Sequence, residues 1–180
     1  MEFNLADLFE CVADHVAERL AIVSGDRRLT YRDLDERATR LAHALTDLGV
    51  RSGEPVGCYM TNSPEYVETM LAAYKLRAVP VNVNYRYAAD ELAYLFNDAS
   101  LAAVVTSAEF MPLVAAVAPR VASLHVVVEV GDEYERVVAA ASPTRDFPPR
   151  SGDDHYVLYT GGTTGRPKGV VWRQEDIFFA

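Results

Sequence analysis

Residues 159–169, with the sequence YTGGTTGRPKG, combine four glycines, three threonines and one lysine in eleven positions. Glycine lets backbone N–H groups approach an anion closely and adopts conformations that other residues avoid. Threonine hydroxyls donate hydrogen bonds, and a lysine supplies a positive charge. This combination predicts a phosphate-binding loop, with a glycine-rich hairpin tip that holds no ligand as the alternative. The predicted phosphate-binding residues are Thr160, Gly161, Gly162, Thr163, Thr164, Gly165 and Lys168.

The spacing of this loop differs from that of the common nucleotide-binding motifs. A Walker A loop places its lysine between a glycine and a serine or threonine, whereas Lys168 lies between Pro167 and Gly169. The residues that follow, GVVW, favour a strand instead of the helix that such a loop opens. The glycine pattern of dinucleotide-binding folds is absent from the sequence as well. We therefore expect a strand–loop–strand element.

Three parts of the chain have different sequence patterns. Residues 1–141 alternate between helical periodicity and short strands with few polar residues, which predicts an α/β fold whose mainly parallel sheet has helices on both faces. Residues 142–154 are rich in proline and charge and predict an exposed linker. Residues 155–180 predict the strand, the phosphate loop, a second strand and the start of a helix.

Composition excludes several classes of partner. The chain has 180 residues, 17 of them basic and 26 acidic, and its net charge of -9 argues against binding to nucleic acid. Its longest apolar region, residues 101–130, is interrupted by charged residues and prolines, so no transmembrane segment is predicted.

Cys11 and Cys58 lie in apolar stretches and are expected to be buried, reduced thiols. With an acidic N-terminus that does not resemble a signal peptide, they predict a cytoplasmic location.

The loop sequence resembles the phosphate-loop signature of the adenylate-forming enzymes, which include acyl-CoA synthetases, luciferases and peptide-synthetase adenylation domains. Residues 29–45 are similar to an early Leu-Thr-Tyr motif of that family, and residues 74–105 to its second sequence block. Gly161 is a departure, because most members carry serine there, so one hydroxyl is lost. In detail the sequence looks most similar to bacterial acyl-CoA synthetases that act on bulky lipid-derived acids, including steroid side chains.

The resemblance implies a two-step reaction in which ATP activates a fatty or steroid-type carboxylic acid and coenzyme A then accepts the acyl group. It implies ATP, Mg²⁺ and coenzyme A as cofactors, with the loop holding ATP or pyrophosphate and Thr163 near Mg²⁺. Arg86 corresponds to an arginine that approaches the coenzyme A phosphate in parts of the family, and a solvated surface arginine is the alternative.

Members of this family are longer, and their adenine-binding motif, hinge and catalytic lysine follow the phosphate loop. We therefore expect residues 1–180 to form a partial N-terminal AMP-binding domain without the C-terminal domain, and we assign no catalytic residue within them. The chain is interpreted as a fragment or truncated product that is inactive as a ligase by itself, and a partner chain could supply the missing part. Two alternatives remain: an adenylating enzyme that uses a carrier-protein thiol, and a non-catalytic α/β module that binds phosphate, nucleotide or a partner.

Overall fold

Helices and strands alternate along the chain in the computed structural model, which describes residues 3–160 and 166–179. The helices are α1 (Leu5–His15), α2 (Tyr31–Asp47), α3 (Pro64–Lys75), α4 (Ala89–Asp98), α5 (Met111–Val117), α6 (Asp132–Ala140) and α7 (Gln174–Phe179). The strands are β1 (Leu20–Ser24), β2 (Arg27–Thr30), β3 (Pro55–Tyr59), β4 (Val79–Asn82), β5 (Ala103–Ser107), β6 (Val126–Val130), β7 (His155–Thr160) and β8 (Lys168–Arg173).

Six strands form the central sheet, in the order β6-β5-β3-β4-β7-β8. Every neighbouring pair is parallel except β7 and β8, which are antiparallel, and β1 and β2 form a separate hairpin. Successive strand residues point to opposite faces, so Val104 packs in one apolar core and Val105 in another. The first core includes residues of α4 and α5, and the second includes residues of α2, α3 and α6. The predicted α/β fold, with a mostly parallel sheet between helices, is confirmed.

Local sequence explains where two of these helices begin. Thr30 and Asp33 form a capping box, in which each side chain bonds the backbone of the other residue, so α2 begins at Tyr31. The residues LTY at 29–31 favour a strand, but the capping box places Tyr31 in the helix instead. Ser63 caps α3, and Pro64 occupies its first position, where proline is favoured because no backbone N–H is needed there.

The apolar spacing over residues 109–121 predicts one continuous helix, but the α-helix is shorter in the structure. The α-helical part, α5, covers Met111–Val117, and Ala118–Arg120 form a 3₁₀ turn. Pro119 lacks a backbone N–H and cannot donate the hydrogen bond that would extend the α-helix. The tighter turn ends the element without that bond.

The two cysteines differ in their surroundings. Cys58 is fully buried in β3, where burial raises the pKa of its thiol. Cys11 is exposed, so the prediction that both thiols are buried is wrong for Cys11. The inward face of α1 carries Ala6 and Ala13, seven residues apart, and Cys11 lies away from that stripe.

The segment over residues 142–154 has no helix or strand, but arginines attach it to the helical layer. The Arg150 guanidinium donates to the Glu10 carboxylate of α1 at 3.0 Å and to the Lys75 backbone oxygen at 3.1 Å. Arg145 lies 2.7 Å from the Asp35 carboxylate of α2. These contacts fix the path of the segment between α6 and β7.

Among the described residues, no helix has the length and apolar character needed to cross a membrane.

Candidate functional site

The predicted phosphate loop begins at the carboxyl edge of the sheet. Strands β4 and β7 are parallel neighbours, with Asn82 opposite Leu158 in their register. Both strands therefore end at the same edge, where parallel α/β sheets bind their ligands. The turn after β4 contains Arg86, and the end of β7 is Thr160.

Strands β7 and β8 form the stem of the loop. Their antiparallel register places Thr160 directly opposite Lys168, so the stem closes at two residues that were predicted to bind phosphate. Both residues are exposed. A hydroxyl and an ammonium group at one end of a stem suit a polyanion, because both donate hydrogen bonds to oxygen.

The remaining predicted phosphate ligands lie outside the described residues. They are Gly161, Gly162, Thr163, Thr164 and Gly165. The structure neither supports nor opposes their assignment, and they stay predictions. The same holds for Thr163 as a residue close to Mg²⁺. In residues 3–160 and 166–179, no group of three or more histidine, cysteine, aspartate or glutamate side chains is placed to hold a metal ion.

Tyr159 packs tightly against the opposite strand of the stem. Its partner in the register is Gly169, and a Cβ atom at Gly169 would lie 3.1 Å from both Cζ of Tyr159 and Cγ1 of Val157. The absence of a side chain therefore lets the tyrosine ring lie across β8. This contact gives Gly169 a packing role beside the loop.

Tyr159 is also attached to the two elements beside the stem. Its backbone N–H donates to Oδ1 of Asn82 at 3.2 Å, and its phenol donates to Oδ2 of Asp98 at 2.7 Å. Burial, together with the hydrogen bond to the negatively charged Asp98, raises the pKa of the Tyr159 phenol. The phenol thus keeps its proton and remains a donor. Sequence reasoning did not identify Asn82 or Asp98, although both lie within the block at residues 74–105.

Arg166, the first described residue after residues 161–165, also contacts α4. Its guanidinium carbon lies 4.9 Å from the centre of the Tyr94 ring, a cation–π distance. The Tyr94 hydroxyl lies 3.4 Å from Oδ1 of Asp98. A cavity of about 400 Å³ opens here, lined by Asp90, Glu91, Tyr94, Arg166 and Pro167.

Arg86 lies in the turn between β4 and α4. Its backbone N–H donates to Oδ1 of Asn84 at 3.0 Å, and its guanidinium carbon lies 5.4 Å from the Tyr85 ring centre. The residue is exposed, so its charge faces solvent at the same edge as the stem. This position is compatible with both predicted roles of Arg86, which stays a prediction.

The amino end of β7 is fixed by Asp154. Its carboxylate accepts hydrogen bonds from Arg77 at 2.8 Å, from the Asn4 amide at 3.2 Å and from the Ser151 backbone N–H at 3.2 Å. Asn4 is also the N-cap of α1. The start of the stem strand is therefore connected to α1 and to the residues that follow α3.

Comparison with known proteins identifies the family. The sequence profile described as "AMP-binding enzyme" matches residues 9–180, and the chain belongs to that family. It is 46% identical over 190 residues to 3-oxocholest-4-en-26-oate–CoA ligase of Rhodococcus rhodochrous, covering 99% of this chain and 34% of the relative. A medium/long-chain-fatty-acid–CoA/3-oxocholest-4-en-26-oate–CoA ligase of Mycolicibacterium smegmatis is also 46% identical, with the same coverage of both chains.

Solved structures support the same assignment of the fold. The N-terminal domain of FACL13 from Mycobacterium tuberculosis superposes with a TM-score of 0.92 at 30% identity, covering 99% of this chain and 46% of that one. The anthranilate CoA ligase AuaEII, solved with anthranoyl-AMP, also gives 0.92, at 27% identity, covering 97% of this chain and 35% of that one. The chain thus spans about a third of the length of the curated relatives described above.

Proposed function

We propose that this chain provides the polyphosphate-binding part of an ATP-dependent, AMP-forming acyl-CoA synthetase. The observation that carries the proposal is the pairing of Thr160 with Lys168 at the carboxyl edge of the sheet, in a chain 46% identical to a steroid-acid CoA ligase. The acid, ATP and coenzyme A are the proposed substrates.

The reaction has two displacements. In the first, a carboxylate oxygen of the acid attacks the α-phosphorus of ATP, an acyl-adenylate forms and pyrophosphate leaves. In the second, the sulfur of coenzyme A attacks the acyl carbon and AMP leaves. Phosphoryl and nucleotidyl transfers depend chiefly on positioning and on neutralising charge. Lys168 and the Thr160 hydroxyl would hold the phosphates that become pyrophosphate, where negative charge increases as the bond breaks.

Mg²⁺ is the expected companion of ATP. Bound to the triphosphate, it would neutralise part of the charge that the loop alone does not offset. Thr160 and Lys168 fit a polyphosphate ligand, because a hydroxyl and an ammonium group both donate to its oxygens. The assignment of Thr163 to the vicinity of the metal belongs to this proposal.

The names of two relatives support one class of acid. Two proteins that are 46% identical carry names that include a cholestenoate CoA ligase activity, one of them together with medium- and long-chain fatty acids. We therefore favour a bulky lipid-derived acid. An adenylating enzyme with a carrier-protein thiol is less well supported, since a dimodular nonribosomal peptide synthase of Bacillus subtilis is only 33% identical. The cytoplasmic location predicted from the sequence remains part of the proposal.

ATP–pyrophosphate exchange tests the first step. The experiment uses the longest natural polypeptide that contains this chain, with Mg²⁺, labelled pyrophosphate and a panel of acids that includes palmitate, a cholestenoate and benzoate. Exchange that depends on palmitate or the cholestenoate is expected. Addition of coenzyme A should then release AMP and form the acyl thioester. If a folded polypeptide gives no exchange with any acid, the proposal is wrong.

A further inference from the structure

The predicted phosphate loop contacts helix α4 at two points, one on each side of residues 161–165. Tyr159, at the start of the loop, bonds Asp98 at the end of α4, while Arg166, two residues before Lys168, packs over Tyr94 of α4. We propose that these four residues, the loop clamp, set the position of the stem and thereby of Thr160 and Lys168. Asp98 and Tyr159 are then positioning residues for polyphosphate binding, a role that rests on the proposed function.

The carboxylate of Asp98 lies close to two tyrosine hydroxyls. One carboxylate oxygen accepts from Tyr159 at 2.7 Å, and the other lies 3.4 Å from the Tyr94 hydroxyl. The 2.7 Å contact has the length of a strong hydrogen bond from a hydroxyl to a carboxylate. Asp98 thus connects Tyr159 of β7 to Tyr94 of α4. The guanidinium group of Arg166 lies over the ring of this second tyrosine.

The place of Asp98 in its helix is unfavourable for a carboxylate. Asp98 is the last residue of α4, where the helix dipole disfavours a negative charge. The side chain is exposed, and within residues 3–160 and 166–179 no basic side chain forms an ion pair with it. The carboxylate of Asp98 therefore does not stabilise the helix. Its role is to accept the hydrogen bond from Tyr159.

Tyr159 is held by packing and by hydrogen bonds. Its ring lies against Gly169 on one side of the stem, and its backbone N–H is bonded to Asn82 of the neighbouring strand. The hydrogen bond to Asp98 fixes the remaining free end of the side chain. Because Tyr159 immediately precedes Thr160, a shift of the ring would move the register partner of Lys168.

The test separates a positioning role from a structural one by comparing two buried tyrosines. Tyr159→Phe and Tyr134→Phe each remove one hydroxyl that donates to a carboxylate, and the Tyr134 bond to Glu68, at 2.5 Å, is buried in the layer formed by α3 and α6. Asp98→Ala removes the acceptor of Tyr159, whereas Asp98→Asn keeps an amide oxygen there. The purified 180-residue chain is titrated with magnesium pyrophosphate by calorimetry.

Tyr159→Phe and Asp98→Ala are expected to weaken pyrophosphate binding about tenfold, as loss of the groups that support a ligating residue typically does. Asp98→Asn should bind nearly as the unchanged protein does. Tyr134→Phe should lower the melting temperature without changing the affinity. Equal affinity in Tyr159→Phe and the unchanged protein would overturn the loop clamp.

Hydrogen–deuterium exchange provides a readout that needs no ligand. The amides of Thr160, Arg166, Lys168 and Gly169 should exchange severalfold faster in Tyr159→Phe and Asp98→Ala and at an unchanged rate in Tyr134→Phe. If the unchanged protein binds no pyrophosphate, the proposed function fails, and the exchange rates alone decide whether the clamp holds the stem. Unchanged exchange in Tyr159→Phe overturns the clamp whatever the ligand result.

Discussion

Lys168 lies directly opposite Thr160 where strands β7 and β8 close the stem of the loop. Both side chains are exposed, so the ammonium group is available to a ligand without any rearrangement of the core. The pairing leads to a first prediction about affinity and stability.

Lys168→Ala should weaken magnesium pyrophosphate binding by about 1 to 1.5 kcal/mol, or about five- to tenfold, because one charge-assisted hydrogen bond is lost. The melting temperature should change little, since exposed substitutions usually cost within about half a kcal/mol. Calorimetric titration and thermal unfolding measure the two effects. Arg19→Ala removes an equal charge from the turn before the β1–β2 hairpin and should leave affinity unchanged. Equal losses of affinity in both variants would point to net charge instead of a local contact.

Lys75 of α3 forms ion pairs with residues of α1 and α2, and replacing it tests how much these pairs stabilise the fold. Its ammonium group is fully buried, contacts Glu10 and lies 2.8 Å from Asp35. Lys75→Met keeps most of the apolar stem but leaves two carboxylates without this partner. Breaking a buried ion pair is costly, and we expect a loss of about 3 kcal/mol in the free energy of unfolding, limited by the arginines that still pair with both acids.

Equilibrium unfolding in urea measures the loss in Lys75→Met. Arg32→Met is the matched control, since it breaks an exposed ion pair with Glu18, and should cost less than about 1 kcal/mol. A similar small loss in both variants would show that the two arginines alone are sufficient partners for these carboxylates.

Acid should destabilise the protein through its paired carboxylates. Arg37 lowers the pKa of Glu135, and Arg145 lowers that of Asp14. Burial alone would raise the pKa of Glu10, but Arg150 and Lys75 outweigh it and lower the pKa. Because each folded-state pKa lies below the unfolded value of about 4, the unfolded chain binds protons first as the pH falls. The stabilisation is therefore present above about pH 4.5 and is lost below it.

Melting temperatures measured between pH 7 and pH 3 test this expectation. The decrease should begin near pH 4.5 and become steeper toward pH 3. Glu135→Gln, which cannot titrate, should show a lower melting temperature at pH 7 and a smaller decrease on acidification. A melting temperature independent of pH across this range would contradict the assignment.

Local sequence was sufficient for much of the fold. Thr30 and Asp33 form their capping box within four residues, and Ser63 with Pro64 marks the start of α3. Such signals depend on neighbours along the chain and are visible without knowledge of the tertiary structure. The helix end near Pro119 also depends on a local rule, but a helical pattern of apolar residues concealed it.

Contacts between residues that are far apart in the sequence cannot be predicted from such local signals. Tyr159 and Asp98 are 61 residues apart, and nothing in either local pattern indicates that they meet. Cys11 shows the same limit, since apolar residues surround it in the sequence while the packing of α1 turns it toward solvent. Which face of a helix is buried is decided by the neighbouring elements.

Strand β8 leads to the last prediction, which concerns association. All six of its residues are exposed, including Val170, Val171 and Trp172, and in the described part of the chain it lies at the end of the sheet. An exposed apolar edge strand can pair with another chain. The 180-residue chain should therefore form dimers or larger species as its concentration rises, and Val171→Lys, which places a charge on that edge, should shift it toward monomer. Sedimentation velocity over a range of concentrations measures the distribution.

Leu48→Lys, at the end of α2, adds the same charge away from the sheet and should leave association unchanged. A chain that stays monomeric at every concentration, or equal effects of the two lysines, would show that β8 is not the edge through which copies associate.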